Sequence, residues 1–280
     1  MEALSDTIRR RIAEALAEDI GAGDYTTLWC VDEGIRSEAE IVARSKGVMA
    51  GLAAAAEVYR QLGGAELQGL LRDGDWADAD SVVARVTGSA RSILTGERTA
   101  LNLLGRLSGV ATLTHWFVLA VDGTGARITD TRKTTPLWRE LERLATRAGG
   151  AINHRRGLDK MVLIKENHLA CAGGIQEATR RVREANRSGL KVEVETTNME
   201  EVEAALAGGV DRIMLDNMPA DAVRNAVRLI DKHAPRPEVE VSGGITLSTV
   251  REFAEAGADF ISVGALTHSA PALDLSLRIR

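Results

Sequence analysis

The chain has 280 residues, 45% of them hydrophobic and 27% charged, and a formal net charge of −5. That length allows one large domain or two modest ones around buried cores, and the composition is that of a soluble globular enzyme. Two cysteines, Cys30 and Cys171, argue against a disulfide framework or a zinc cluster, and 3% aromatics without a basic tail argue against nucleic-acid binding.

The longest apolar run, Val48–Ala56, is too short to span a bilayer and is interrupted by glycine. Residues 1–11 mix charges and do not read as a leader, so a cytoplasmic location, with no membrane partner, is expected. Residues 7–18 carry apolar side chains at 8, 12 and 16, the spacing of an amphipathic helix, which the glycines at 21 and 23 end. From 38 to 86 the pattern turns to short pieces. Strands are predicted at 39–43 and 81–86, an alanine-rich helix at 51–62, and turns at Gly63-Gly64 and Asp73-Gly74-Asp75. This is a compact α+β module. Residues 95–120 predict the longest helix, bent or broken at Gly109, with Arg98 and Asn102 four apart on one face.

After residue 125 one rhythm repeats: a short β-branched strand, a polar residue at its end, then a helix. The predicted strands are 127–129, 161–164, 191–194, 212–215, 238–241 and 259–263, ending on Asp130, Lys165, Glu195, Asp216, Ser242 and Gly264. Such alternation specifies parallel strands with crossover helices. Near-continuous apolar strands with polar residues at their carboxyl ends predict a short, six-strand (β/α) barrel whose site is the mouth. A flat doubly wound sheet, the alternative, would ordinarily leave functional residues on fewer strand ends.

The stretch 127–168 holds ten Lys and Arg against five Asp and Glu, a positive island in an acidic chain. A solvated helix face accounts for Arg139, Arg143 and Arg147. Arg132, Lys133, Arg155 and Lys165 sit instead at loop starts and strand ends, where a pocket for a small polyanion would need them. Lys165 can bind an anion there or, with a depressed pKa, form a Schiff base. Glu195 and Asp216 can pair with these cations, hold magnesium, or stabilise a developing positive charge. His154 is equally readable as core or site. The small residues of Ser242-Gly243-Gly244 and Val263-Gly264-Ala265, with His268 nearby, suit a phosphate at the last two strand-to-helix turns. A nucleotide-binding GxxxxGK[ST] loop and an HExxH motif are absent, and Gly123-Thr124-Gly125 lacks the third glycine of a dinucleotide fingerprint.

Taken in order, AEDIGAGDYTT (17–27), GERTALNLLGRLSGVAT (96–112), DTRKTTP (130–136), GGAINHR (149–155), GLDKMVLIKENH (157–168), VEVE (192–195), IMLDNM (213–218), SGGIT (242–246) and ISVGALTHS (261–269) closely resemble the quinolinate phosphoribosyltransferases over nearly the whole chain. The resemblance implies an α/β protein. An N-terminal α+β sandwich-like domain, residues 1–110 joined by the tail 270–280, precedes a six-strand parallel α/β barrel over 111–269. It also implies the reaction of quinolinate with 5-phosphoribosyl 1-pyrophosphate (PRPP), with magnesium, to give nicotinate mononucleotide, pyrophosphate and carbon dioxide. By position, Arg98, Thr131, Arg132, His154, Arg155 and Lys165 are expected to cradle the quinolinate carboxylates and nearby phosphate. Lys133 is expected to face the pyrophosphate, and Glu195 and Asp216 the ribose and magnesium. Ser242, Gly243, Gly244, Val263, Gly264, Ala265 and His268 are expected to take the 5-phosphate. The catalytic set would be Lys133, Lys165, Glu195 and Asp216, in at least a homodimer whose Arg98 completes the neighbouring site.

The chain departs from the family pattern in three places. Leu137-Trp138 stands where Gly-Leu is usual, Ala151 replaces a glycine, and Glu166 replaces an aspartate. Two rival readings are a related group found beside molybdate-transport genes, of uncertain substrate, and a barrel lyase using Lys165 as a Schiff-base nucleophile. The LIKENH motif favours the quinolinate enzyme over the first.

Overall fold

The computed structural model describes residues 4–280, and these fall into two compact units. The first comprises the chain up to 115 with 134–150 and 265–280; the second comprises 116–133 and 151–264.

The first unit opens with α1 (Asp6–Ile20), whose N-terminus is capped by the Ser5 side chain accepting the Ile8 N–H. The helix buries Ile8, Ile12 and Leu16, the residues whose spacing predicted it. There follow α2 (Tyr25–Cys30), β1 (Arg36–Ala43), β2 (Gly47–Val48), α3 (Leu52–Leu62), β3 (Ala65–Gly69), β4 (Trp76–Ala77) and β5 (Val82–Ser89). β5 pairs antiparallel with β1 on one side and β3 on the other. Then α4 (Ala90–Ala120) runs for 31 residues without interruption, so the expected break at Gly109 does not occur. The glycine serves a different purpose: a Cβ there would lie 1.9 Å from the Pro271 carbonyl oxygen, and its absence admits the C-terminal segment against the helix. The helix is long and apolar enough to cross a bilayer, yet Ala100, Leu104, Leu107, Val110 and Ala111 belong to the core of this unit.

The second unit is built on β6 (Arg127–Thr129). The chain next contributes α5 (Arg139–Ala148), whose Leu141 and Ala145 join the core of the first unit. It then returns through β7 (Val162–Ile164), α6 (Glu166–Ala172), α7 (Ile175–Ala185), β8 (Val192–Thr196), α8 (Met199–Gly208), β9 (Arg212–Asp216), α9 (Ala220–Ile230), β10 (Glu238–Ser242), α10 (Val250–Glu255) and β11 (Phe260–Ser262). Each strand from β7 to β10 pairs in parallel with its successor, and β11 pairs in parallel with β6. A doubly wound sheet would reverse its order part-way; this cyclic order is that of a barrel. Among the described residues β6 and β7 are not paired directly. The segment before β7 fills that seam: Ile152 bridges Thr129 in parallel and donates its N–H to the Ile128 carbonyl.

Side chains alternate across these strands. Val194, Ile213, Leu215, Val239, Val241 and Ile261 form one set, fully buried, while α8 buries Val202 and Ala205 and α9 buries Val223, Ala226 and Ile230. The other set is charged. Glu193 and Glu240 are fully buried, and Arg212 donates to Glu240 at 2.6 Å and stacks on the Phe260 ring at 4.1 Å. The strands are therefore not near-continuous apolar runs, as expected from the sequence. The interior of this short barrel holds ion pairs alongside Leu163, Met214 and Phe260. After β11, α11 (Ala265–His268) and β12 (Leu275–Ile279) return to the first unit, where β12 pairs antiparallel with β1 and completes the order β12-β1-β5-β3.

Candidate active site

Parallel strands put all their carboxyl ends on one side, so the polar residues that end the six strands meet there as a consequence of topology. Thr131, Arg132 and Lys133 follow β6, and Lys165 follows β7. Glu195 is the penultimate residue of β8, which runs on to Thr196, Asp216 closes β9, Ser242 closes β10, and Val263-Gly264 follow β11. Arg98, Ala265 and His268 belong to the first unit; Arg98 is exposed on α4.

Asp130 organises the seam. Its fully buried carboxylate accepts the His154 N–H at 2.7 Å and the Asn153 side-chain amide at 2.8 Å. These bonds fix the 153–155 segment, and Arg155 then donates from Nη1 to the Met161 carbonyl at 2.9 Å. Burial and the neighbouring Arg132 charge both lower the Arg155 pKa. A guanidinium disfavoured by burial and by a neighbouring cation gains when an anion binds beside it.

His154 faces the barrel interior, with its side chain 6% exposed. Its Nε2 lies 3.3 Å from a carboxylate oxygen of both Glu193 and Glu240. Burial opposes a charge on the ring, and the two carboxylates favour one. Burial and the Glu240 charge raise Glu193 to about 7. The ring's other nitrogen speaks against an imidazolium, because Nδ1 accepts the Arg155 backbone N–H at 2.8 Å and must keep its lone pair. The ring therefore carries one proton, on Nε2, and the further proton that burial favours in this cluster belongs to Glu193. His154, Glu193 and Glu240 offer atoms within 4.8 Å of one another, as metal ligands would, but the Arg212 guanidinium already supplies the cation there.

Lys165 and Glu195 form an ion pair, Nζ to Oε2, at 2.5 Å, with the lysine about half exposed and the glutamate 13% exposed. The pairing of Glu195 with a mouth cation, one of the readings open from sequence, is thus present. Asp216 instead accepts from the Asn217 amide at 2.6 Å. The Lys165 N–H donates to His168 Nδ1 at 2.9 Å, and this residue caps α6 from its third position. Lys133 is placed by its N–H donating to the Thr131 hydroxyl at 3.1 Å. In the turn after β10, Gly243 has φ +93°, and a Cβ would lie 2.3 Å from the Asn217 amide oxygen, so only glycine lets the two turns touch. Beside Gly244 a Cβ would meet nothing within 4 Å, so this turn is open. Val263 is buried and its N–H donates to the Thr129 carbonyl. That leaves its carbonyl as the group it can present. His268 is exposed, with Nδ1 2.6 Å from the Ser269 hydroxyl.

Models of the quinolinate phosphoribosyl transferase N-terminal and C-terminal domains match residues 24–108 and 110–278. The chain belongs to the quinolinate phosphoribosyltransferase family. It is 45% identical over 269 residues to the probable nicotinate-nucleotide pyrophosphorylase (carboxylating) of Synechocystis sp., covering 94% of this chain and 90% of that protein. It is 41% identical over 280 residues to the nicotinate-nucleotide pyrophosphorylase (carboxylating) of Mycobacterium leprae, covering 99% and 97%. The solved structure of the Francisella tularensis nicotinate-nucleotide pyrophosphorylase superposes with a TM-score of 0.94 at 38% identity, covering all of this chain and 98% of that one.

In this quinolinate phosphoribosyltransferase the residues missed from the sequence are those that hold the expected ones. Glu193, Glu240 and Arg212 lie two residues before a recognised strand end or deeper. Period-two alternation was the available signal, since a strand that aims Glu195 at the mouth aims Glu193 the same way. In the first unit, Arg106 and Glu142 fix two turns at once. The buried Glu142 accepts the Thr135 N–H and hydroxyl at 2.9 and 2.8 Å and Arg106 at 2.9 Å. Arg106 also donates to the carbonyls of Thr267 and Ala270. The departure at Leu137 has a backbone consequence: this leucine sits at φ +69° with its side chain in solvent, 63% exposed. A left-handed non-glycine residue costs about 1–2 kcal/mol, a cost that the usual glycine avoids.

Proposed function

We propose that this chain transfers the 5-phosphoribosyl group of PRPP to the ring nitrogen of quinolinate, with loss of one carboxylate as carbon dioxide. The products are nicotinate mononucleotide and pyrophosphate, and the reaction serves NAD biosynthesis in the cytoplasm. The observation that carries this reading is the gathering of Arg132, Arg155 and Lys165 at the carboxyl ends of β6 and β7 and the seam between them, where the Arg132 charge and burial both disfavour the Arg155 guanidinium. A dicarboxylate satisfies such a cluster better than a monoanion does. Lys133 faces the pyrophosphate, and Ser242, Gly243, Gly244 and the turn through Gly264 receive the 5-phosphate.

Departure of pyrophosphate leaves positive charge on the ribose carbon, and carboxylates fixed before the reaction stabilise it without reorganising. Glu195 and Asp216 end neighbouring parallel strands in a register that puts both on the same side. These hard oxygen donors suit magnesium, which would neutralise pyrophosphate charge and would be shared with the substrate. The lyase reading is disfavoured by the ion pair of Lys165, because an ammonium held by Glu195 is not a free nucleophile. The test is incubation with PRPP, magnesium and either quinolinate or nicotinate. Quinolinate should give nicotinate mononucleotide, and nicotinate should be slower by on the order of a hundredfold or more, because a single carboxylate cannot meet all the cations that a dicarboxylate meets. Comparable turnover of nicotinate would defeat the assignment.

The same reading makes the protein a homodimer in which Arg98 serves the neighbouring subunit's site. An exposed arginine on a helix of the first unit is available to a symmetric partner. Arg98→Ala and Lys165→Ala homodimers should each be nearly inactive, while subunit exchange between them should restore activity, because one site of the mixed dimer carries neither lesion. No recovery on mixing would assign Arg98 to its own subunit.

A further inference from the structure

The expected cradle counts His154 among the groups that touch substrate, but its surroundings give it different work. Its ring is almost wholly enclosed, and both nitrogens meet protein atoms. Nδ1 accepts the backbone N–H of Arg155 at 2.8 Å. Nε2 lies between Glu193 and Glu240, 3.3 Å from each. Glu240 is itself immobilised by Arg212 at 2.6 Å and by the Ser262 hydroxyl. From the other side, the His154 N–H is held by the buried Asp130 carboxylate at 2.7 Å.

We propose that His154 is a positioning residue: enclosed in the barrel interior with Nε2 beside Glu193 and Glu240, it presents Nδ1 to the Arg155 backbone N–H and so aims that guanidinium at the carboxylates of quinolinate. This rests on the reading of Arg155 as a quinolinate ligand. The physical need is clear from the seam. Residues 152–155 cross between β6 and β7 without being a regular strand, and Arg155 has no ladder to hold its N–H. A buried acceptor supplied by the preceding side chain replaces the missing ladder. That acceptor is directional only if the ring stays put, and its enclosure, with two carboxylates 3.3 Å from the far nitrogen, opposes rotation. The linkage therefore runs from Arg212 through Glu240 and His154 to the Arg155 backbone. It uses the charged barrel interior as a rigid floor for the mouth.

The inference is tested by titration calorimetry of quinolinate against His154→Leu, His154→Asn, Arg155→Ala and the His154→Leu/Arg155→Ala double variant, with folding checked by circular dichroism. Leucine removes the acceptor, whereas the asparagine amide oxygen reaches the place of Nδ1. His154→Leu should weaken binding by on the order of tenfold, the usual worth of one hydrogen bond, and His154→Asn should recover most of it. In the Arg155→Ala background the leucine should add less than about twofold, since both changes act through one guanidinium. Asparagine as poor as leucine, or a full leucine effect without Arg155, would overturn the proposal. Nitrogen-15 spectra of wild-type His154 supply a reading that needs neither substrate nor variant. A proton on Nε2 with Nδ1 as acceptor is expected, and a proton on Nδ1 overturns the inference by itself. Arg155→Ala that binds quinolinate like wild type would instead bring down the assignment of Arg155, and the role given to His154 with it.

Discussion

Replacing Arg212 with methionine should destabilise the protein by about 3–5 kcal/mol, the usual consequence of leaving a buried charge without its partner. The guanidinium bonds Glu240 at 2.6 Å and Glu238 at 2.8 Å, and Glu240 has no solvent exposure. Methionine keeps the stem and its packing on Phe260 but leaves Glu193 and Glu240 with the His154 ring and the Ser262 hydroxyl and no full cation. Against a typical total stability of about 5–15 kcal/mol, such a loss moves a urea midpoint well outside error. The defect should also depend on pH in a defined direction. Burial alone would raise Glu240, but hydrogen bonds from His154 and Ser262 and the Arg212 charge outweigh it and hold its pKa below the ordinary value. A depressed carboxylate stabilises the fold above its unfolded pKa, and that contribution fades as pH falls through the folded value. In Arg212→Met the orphaned carboxylate takes up a proton more readily, so the deficit against wild type should shrink from pH 8 to pH 5. Adding Glu240→Gln should recover part of the loss at pH 8. A midpoint unchanged in Arg212→Met would show that the interior charges are not coupled as their geometry indicates.

The same interior explains what the sequence could and could not convey. Strand ends such as Lys165 and Asp216 were legible because a β-branched run stops abruptly at a polar residue, and parallel topology then gathers those ends. Glu193 and Glu240 were passed over because alternating polar residues normally mean a solvated face. In a barrel this narrow the alternate face is the interior, and carboxylates survive there only because Arg212 and His154 come from elsewhere in the chain. That pairing is long-range and leaves no local trace. Gly109 illustrates the complementary failure. From sequence a glycine inside a helix reads as a weak point, whereas the Pro271 carbonyl that requires it lies 162 positions later. Arg106 and Glu142 are of the same kind, ordinary charged helix residues until Thr135 and Thr267 are seen beside them. Short edge pieces such as β2 and β4, two residues each, carry too little pattern to be read at all.

Lys165→Ala and Glu195→Gln, which break one ion pair from opposite ends, should fail in opposite ways. In the unliganded protein the lysine ammonium and the glutamate carboxylate satisfy each other at 2.5 Å. On the proposed assignment of Lys165, an arriving quinolinate carboxylate would compete with Glu195 for that ammonium, and the pair would loosen as substrate binds. Removing Lys165 takes away the attraction and leaves Glu195, 13% exposed, as a like charge beside the ligand. The KM for quinolinate should rise, and kcat/KM should fall by on the order of a hundred- to a thousandfold, about 3–4 kcal/mol. Glu195→Gln removes the competitor while keeping the shape, so quinolinate should bind as well as in wild type or better. The carboxylate is then missing when positive charge develops on the ribose carbon, and kcat should fall by on the order of a hundredfold. Because one change acts on ground-state binding and the other mainly on the transition state, steady-state kinetics separates them directly. A Glu195→Gln enzyme with unchanged kcat and a raised KM would reverse its assignment and make it a binding residue. Equal losses in kcat alone for both variants would mean that the pair acts as one unit in chemistry, with Lys165 serving only to place Glu195.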